Sequence, residues 1–300
     1  MTNHEERISL SERGAWMSIV VYVLLASFKL ISGHLFLSAS LVADGVNNFT
    51  DIISSVTVLI GLKTAKKPAD ENHPYGHWKA EPIASLITSF IMLFIGIQLL
   101  MNTSRNFFVL QSTESPSMIA GIVALVSMSV MFIVAKYNHK LADQSKSQGL
   151  KAVAKDNFVD GLTSLATAVA IFTASLGLSW VDKIMAIIIS MIIIKTGIEI
   201  FRECTFSLSD GFDENVLAEY KDKLQTIEAI HSIPQIKARM YGANTYVDIT
   251  ILVDADMTVH QSHEVTEEVE RLLYEEFDVM YTDVHVEPDN ITTQFTKDQM

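Results

Sequence analysis

Cysteine is almost absent from this sequence, since Cys204 is the only one in 300 residues. An intramolecular disulfide is therefore excluded, and so is a zinc site built from several thiolates. The sequence also lacks the glycine patterns of dinucleotide-binding folds and of P-loop ATPases, so nothing indicates ATP as an energy source. We expect neither an organic cofactor nor a nucleic-acid partner.

Basic residues are outnumbered by acidic ones, and the formal net charge is −13, with the carboxylates concentrated after about residue 209. Hydrophobic residues make up 49% of the chain, which is typical of a protein partly dissolved in lipid. A cleavable signal is not expected, because residues 1–13 are polar and the first apolar run is long enough to stay in the membrane.

Six segments are apolar over the roughly 20 residues that a transmembrane helix needs. They lie near residues 14–34, 39–62, 82–104, 117–136, 151–176 and 181–202. Basic residues collect in the connections on one side of the predicted bundle, and the other side carries only Arg105 and Lys183. This distribution predicts a multi-pass protein of the cell membrane with both termini in the cytoplasm.

The hydrophobic pattern changes after residue 208, where the apolar segments end. Helical and alternating patterns follow in the order α-β-β-α-β, at residues 213–229, 235–241, 245–254, 260–277 and 281–287. We therefore predict an α-helical membrane protein, with a six-transmembrane-helix bundle at 1–208, a cytoplasmic α+β domain at 209–290 and a polar tail at 291–300.

Two related strings lie within the second and fifth predicted spans, NNFTD at 47–51 and DNFVD at 156–160. Asn47 and Asp51 are four residues apart, as are Asp156 and Asp160, so each pair projects from one face of its helix. If the two halves of the membrane domain are inverted repeats, these strings meet near their interface, where transporters commonly bind substrate.

The two pairs supply four oxygen-bearing side chains, which is enough for the first shell of a divalent cation. Carboxylate and amide oxygens are hard ligands that suit Mn²⁺. Three ionised aspartates facing one another need a cation or protons, because each costs roughly 2.5–3.5 kcal/mol at the membrane centre. The alternative is that these side chains only join helices by hydrogen bonds, which is the role we expect for Asn48 and Asn157.

Asp44, Lys29 and Lys195 are further charged residues inside the predicted spans. Asp44 lies on the same helix face as Asn47 and Asp51, and is a candidate carboxylate of the outer path or one that orients the ligands. Lys29 and Lys195 have long stems that can extend toward the membrane interface, so we expect a structural role for both.

These residues make the sequence resemble the cation diffusion facilitator family, whose members are proton-coupled exporters of divalent transition metals. The likeness covers nearly the whole chain and includes the paired motifs, the loop PADENHPYGHWKAE at 68–81 and the α-β-β-α-β tail. It implies a homodimer whose cytoplasmic domain is metallochaperone-like. The transport site of the family falls on Asn47, Asp51, Asp156 and Asp160, and this set is similar to the manganese-exporting branch. An exporter of zinc, iron or cadmium is the alternative within the family.

The resemblance implies two further metal sites. Asp70, His73 and His77 match a loop site of some relatives, although a solvated loop without metal explains them equally well. Four residues of the cytoplasmic domain align with ligands of a binuclear site, but Thr250 stands where a histidine is expected, and Asp248 and His260 are the substitutes. The four aligned residues are His231, His263, His285 and Glu287. The alternative is a domain that only dimerises, with surface histidines.

The resemblance also implies a pair between Lys79 and Asp210 that braces the dimer where membrane and cytoplasmic parts join. Exposed pairs of this kind usually contribute only ~0–1 kcal/mol. We therefore expect the pair to position the two parts of the dimer and to add little to the free energy of unfolding.

Two other function classes also place aspartates inside membrane spans. An intramembrane aspartyl protease needs two aspartates that share a proton, whereas this chain offers three with an amide. A passive cation channel usually lines an open pore with rings of carbonyls or charges, and a compact cage favours binding and release instead. We therefore predict a cation:proton antiporter rather than an enzyme, in which the aspartates take up protons when the metal leaves.

Overall fold

The computed structural model describes residues 3–36, 38–106, 117–176, 178 and 180–289. The chain divides into two compact units, and the division falls between Thr205 and Phe206. The predicted polar tail at 291–300 lies outside the described residues.

Among the described residues, six helices between residues 3 and 208 are each long and apolar enough to cross a membrane. They are α1 (Asn3–Leu35), α2 (Ala39–Ala65), α3 (Ala80–Asn106), α4 (Met118–Ser145), α5 (Gln148–Ser175) and α6 (Trp180–Leu208). The predicted six-helix bundle is confirmed. Several helices extend beyond the predicted spans, because a helix continues into water until a cap or turn ends it, whereas an apolar run marks only the part in lipid.

The α4–α5 connection is a tight hairpin. Lys146 adopts the left-handed conformation at the end of α4, and Ser147 then caps α5 by accepting a hydrogen bond from the Leu150 backbone N–H at 3.0 Å. Only these two residues separate the helices, so α5 folds back against α4. The hairpin thereby places the string DNFVD within the bundle.

A buried carboxylate fastens the start of α3 to the start of α5. Glu81 accepts hydrogen bonds from Ser147 Oγ at 2.6 Å and from the Gly149 backbone N–H at 2.9 Å. A Cβ at position 149 would approach Val58 Cγ1 to 3.0 Å and Glu81 Cγ to 3.2 Å, so glycine permits this close contact. The unpaired amides of a helix N-terminus favour a carboxylate at this place.

The second unit is a three-stranded sheet with two helices. Its elements are α7 (Glu214–Leu224), β1 (Ser232–Tyr241), β2 (Asn244–Val253), α8 (Val259–Phe277) and β3 (Val279–Pro288). The strand order is β1-β2-β3, in which β1 and β2 are antiparallel and β2 and β3 are parallel. The crossover helix α8 packs Val269 and Leu273 into a core with Val247 and Ile251 of β2. The predicted α-β-β-α-β order is confirmed.

The first helix of this unit is shorter than its prediction over 213–229. It ends at Leu224, and the residues that follow form turns. Ile227 and Ile230 are nevertheless buried in the core of the unit. These two apolar side chains continue the helical spacing in the sequence, so hydrophobic periodicity alone does not locate the end of α7.

Candidate metal centre

Three aspartates from α2 and α5 meet inside the bundle. Each of Asp51, Asp156 and Asp160 offers one carboxylate oxygen, and these oxygens lie within 4.8 Å of one another. All three residues are buried, with no more than 5% of their surface exposed. Oδ2 of Asp156 has no hydrogen-bond partner among the described residues. The arrangement brings acceptor oxygens and negative charge together in the protein interior, where such groups normally need a cation, a proton or a hydrogen-bond donor as a partner.

Asn47 lies one helical turn before Asp51 on α2 and is half-buried. Its spacing places it on the same face of α2 as Asp51. It remains the predicted fourth ligand.

The asparagine at the second position of each string is hydrogen-bonded to an aspartate, directly in α2 and through Tyr22 in α5. Asn48 Nδ2 donates to Asp51 Oδ2 at 3.0 Å within α2. Asn157 Nδ2 donates to the hydroxyl of Tyr22 at 2.8 Å, and this hydroxyl donates to Asp160 Oδ2. The expectation that both asparagines join helices is wrong for Asn48, whose amide bonds within its own helix, and incomplete for Asn157.

A buried polar network continues from Asn157 to two more helices. Asn157 Oδ1 accepts hydrogen bonds from Ser18 Oγ at 3.0 Å and from Asn138 Nδ2 at 2.8 Å. Sequence reasoning missed Ser18, Tyr22 and Asn138, because none belongs to a recognisable motif. One signal was available, since Ser18, Tyr22 and Lys29 have the spacing of a polar stripe along an otherwise apolar helix.

Lys29 forms a buried ion pair with Asp44, which fits the expected structural role, although its stem does not need to extend toward the membrane interface. Its Nζ lies 2.9 Å from Asp44 Oδ2 and donates to Ser164 Oγ at 3.0 Å. Ser164 Oγ in turn donates to Asp44 Oδ2 at 3.3 Å. Asp44 therefore engages Lys29 and Ser164, on α1 and α5, and its carboxylate is already neutralised. Lys195, in contrast, is exposed and lies 3.8 Å from Glu199.

The three residues of the α2–α3 loop also come together. His73 Nδ1 lies 3.0 Å from Asp70 Oδ1, and His77 Nε2 lies 3.5 Å from Asp70 Oδ2. The hydrogen bond with the His73 side chain holds the pKa of Asp70 below its ordinary value. The candidate ligand atoms lie within 4.8 Å of one another, and two imidazoles with a carboxylate suit a cation such as Zn²⁺.

The residues of the predicted cytoplasmic site are not assembled in one chain. Among the residues that the structure describes, groups of three or more such ligands occur only in the membrane cluster and the loop. The six candidates instead make separate ion pairs: His231 with Asp289, Asp248 with Arg239, His260 with Glu264, His263 with Glu267, and His285 with Glu287. They lie on or beside different elements, and among the six only His285 and Glu287, both on β3, pair with each other.

The predicted bracing pair joins residues from different units, since Lys79 precedes α3 and Asp210 follows α6. Asp210 adopts the left-handed conformation, with φ of 60°. The pair remains a prediction.

Comparisons with known proteins agree with this architecture. Two family models match the chain, the cation efflux transmembrane domain over residues 15–209 and the cytoplasmic domain of cation efflux proteins over residues 212–289. The manganese efflux system protein MneS of Bacillus subtilis (strain 168) is 44% identical over 283 residues, which cover 94% of this chain and 97% of MneS.

Two further relatives also align over most of their length. The manganese efflux system protein MneP of Bacillus subtilis (strain 168) is 27% identical, over 94% of this chain and 98% of MneP. The magnetosome protein MamB of Magnetospira sp. (strain QH-2) is 31% identical, over 90% of this chain and 92% of MamB. The matched family models cover both units, and the chain therefore belongs to the cation efflux family, the cation diffusion facilitators, as a multi-pass membrane transporter rather than an enzyme.

Proposed function

We propose that this protein exports Mn²⁺ from the cytoplasm across the cell membrane in exchange for protons. The transport site consists of Asn47, Asp51, Asp156 and Asp160. The observation that carries the proposal is the meeting of three buried aspartates from two helices within 4.8 Å. The names of MneS and MneP, which are manganese efflux proteins, support the choice of metal.

Charge balance at the cluster favours a divalent cation. The positive charge of the nearby Lys29 is paired with Asp44, so it does not neutralise the three aspartates. A bound divalent cation reduces a charge of −3 to −1, and the unpartnered Oδ2 of Asp156 is an oxygen available to it. Without metal, protons have to neutralise the aspartates instead, because carboxylates this close in a membrane interior cannot all remain ionised.

Proton coupling is tested by imposing a pH gradient. Metal binding displaces protons from the aspartates, and metal release lets protons return, so inward proton flow drives export. In inside-out vesicles, Mn²⁺ uptake is expected to increase severalfold when the lumen is more acidic than the medium. A second gradient of equal size but opposite sign serves as the control and should slow uptake. A rate that ignores both gradients contradicts exchange and indicates a uniporter.

Selectivity for manganese follows from the hardness of the ligands. Manganese lies near the bottom of the divalent affinity order, so a site favours it by withholding the donors that zinc prefers. Zinc is commonly held by imidazole or thiolate in a closed tetrahedral shell. The membrane cluster offers oxygen, and its predicted fourth ligand is an uncharged amide.

Replacing Asp156 with histidine is therefore expected to shift preference toward zinc. The ratio of Mn²⁺ to Zn²⁺ uptake should fall by about tenfold, the change that ~1.4 kcal/mol produces. Both metals are measured in the same vesicle preparation. Asp222→His, at an exposed carboxylate of α7, is the matched control and should leave the ratio unchanged. An unchanged ratio in Asp156→His contradicts the ligand-hardness argument, and a wild-type preference for zinc supports the alternative exporter.

The proposal includes a homodimer with cytoplasmic termini, since one matched model describes the second unit as the cytoplasmic domain of cation efflux proteins. Basic residues in the connections predict the same orientation. Asp70, His73 and His77 form a candidate second cation site on the cytoplasmic side. The pair between Lys79 and Asp210 belongs to this proposal as a brace of the dimer.

A further inference from the structure

Tyr22 touches the transport site without belonging to either aspartate string. It lies on α1, and its side chain is fully buried. Its hydroxyl donates a hydrogen bond to Asp160 Oδ2 and accepts one from Asn157 Nδ2 at 2.8 Å. A buried tyrosine normally finds a partner for its hydroxyl, but here the partner is a candidate metal ligand.

The direction of the hydroxyl proton is fixed by its neighbours. A phenol has one proton to donate, and an amide N–H can only be a donor. Since Asn157 donates to the oxygen of Tyr22, the proton of that hydroxyl is directed to Asp160. Asn157 is held in turn, because its Oδ1 accepts hydrogen bonds from Ser18 and Asn138. The orientation of Tyr22 is therefore determined by groups on α1, α4 and α5.

This contact fixes the orientation of the Asp160 carboxylate. Its Oδ2 accepts the hydrogen bond of the phenol, so the plane of the carboxylate is held by a group outside both aspartate strings. Asp51 has a comparable arrangement, in which Asn48 donates to Oδ2. Both donors are neutral, so they orient the carboxylates without adding charge to the site. Asp156 differs, because its Oδ2 has no hydrogen-bond partner among the described residues.

We propose that Tyr22 is a positioning residue that fixes the orientation of the Asp160 carboxylate and thereby sets the affinity for the transported cation. This inference rests on the proposed function. Ligands that are held in place before binding lose less freedom when the metal arrives. Groups that hydrogen-bond to metal ligands typically change metal affinity by ~10–100-fold when they are removed.

The test is the Tyr22→Phe variant, which removes the hydroxyl and retains the ring. The KM for Mn²⁺ uptake into inside-out vesicles is expected to rise about tenfold, while kcat per folded transporter changes less than about twofold. Tyr137→Phe, at a half-buried tyrosine of α4, is the matched control and should leave KM unchanged. A purely structural role for the hydroxyl would lower the amount of folded protein and would leave KM as it is.

A second variant keeps the inference testable if Tyr22→Phe does not accumulate. Asn157→Ala retains the phenol but removes the group that directs its proton, so KM should also rise. In the double variant, KM should equal that of Tyr22→Phe alone, because both changes act through one contact. If the wild-type protein transports manganese and the KM of Tyr22→Phe is unchanged, the inference is wrong. If only Asn157→Ala accumulates, an unchanged KM in that variant overturns the inference in the same way. A wild-type protein that carries no manganese overturns the proposed function and this inference with it.

Discussion

Alanine in place of Asp51, Asp156 or Asp160 is expected to reduce manganese flux to background, by more than about 100-fold. Each substitution removes an oxygen donor and a negative charge from the cluster that we propose binds one cation. The flux is measured as Mn²⁺ uptake into proteoliposomes that contain equal amounts of each variant. Asp143→Ala, which removes an exposed carboxylate from α4, is the matched control and should transport at the wild-type rate.

The same variants separate loss of transport from loss of fold. The three aspartates repel one another when they are ionised, so alanine at Asp156, whose Oδ2 has no hydrogen-bond partner among the described residues, should not lower the unfolding temperature of the metal-free protein. An Asp160→Ala protein that moves manganese at the wild-type rate would show that the site is assigned wrongly. An Asp156→Ala protein that loses transport only because it unfolds would contradict the expected stability.

Removing Lys29 is expected to have the largest effect on stability. Lys29→Met leaves Asp44 buried and ionised without its partner, which typically costs about 3–5 kcal/mol. Asp44→Asn should be similarly costly, because it leaves a buried ammonium. The double variant Lys29→Met/Asp44→Asn removes both charges and should recover most of the loss. Thermal unfolding in detergent, together with the amount of inserted protein, measures all three.

Lys195→Met is the control for this series, because Lys195 is exposed and its pair with Glu199 is 3.8 Å long. It should unfold close to the wild-type temperature. Single variants at Lys29 and Asp44 that are as stable as wild type would contradict a stabilising ion pair. Transport by the double variant would further show that Asp44 is not needed on the outer path.

The aspartate cluster could be predicted from the sequence because its signal is local. Asp156 and Asp160 are four residues apart in an apolar helix, and α2 repeats the same pattern. Tyr22 could not be found in this way. Its contacts with Asp160 and Asn157 join residues 138 and 135 positions apart, and they depend on how α1 is rotated against α5. The rotation of α1 about its axis relative to α5 cannot be deduced from a single sequence.

Lys29 shows why a rule about one side chain can fail. Extension toward the interface is the default for a lysine with only lipid around it. Asp44 lies on the neighbouring helix, within 2.9 Å of Nζ, so the ion pair replaces the path to water. The cytoplasmic histidines show the converse, since alignment with a family site does not ensure that residues from α8 and β3 meet within one chain.

Glu81 limits which helices can move independently. Its carboxylate joins the first turn of α5 to α3, and the two-residue connection joins α5 to α4. The ends of α3, α4 and α5 that meet at Glu81 are therefore expected to move together, unless the bonds to Ser147 and Gly149 break. In the proposed transport site, Asp156 and Asp160 would stay with this group of helices. Asp51 lies on α2, outside the group, and would be the ligand whose position changes relative to the other two.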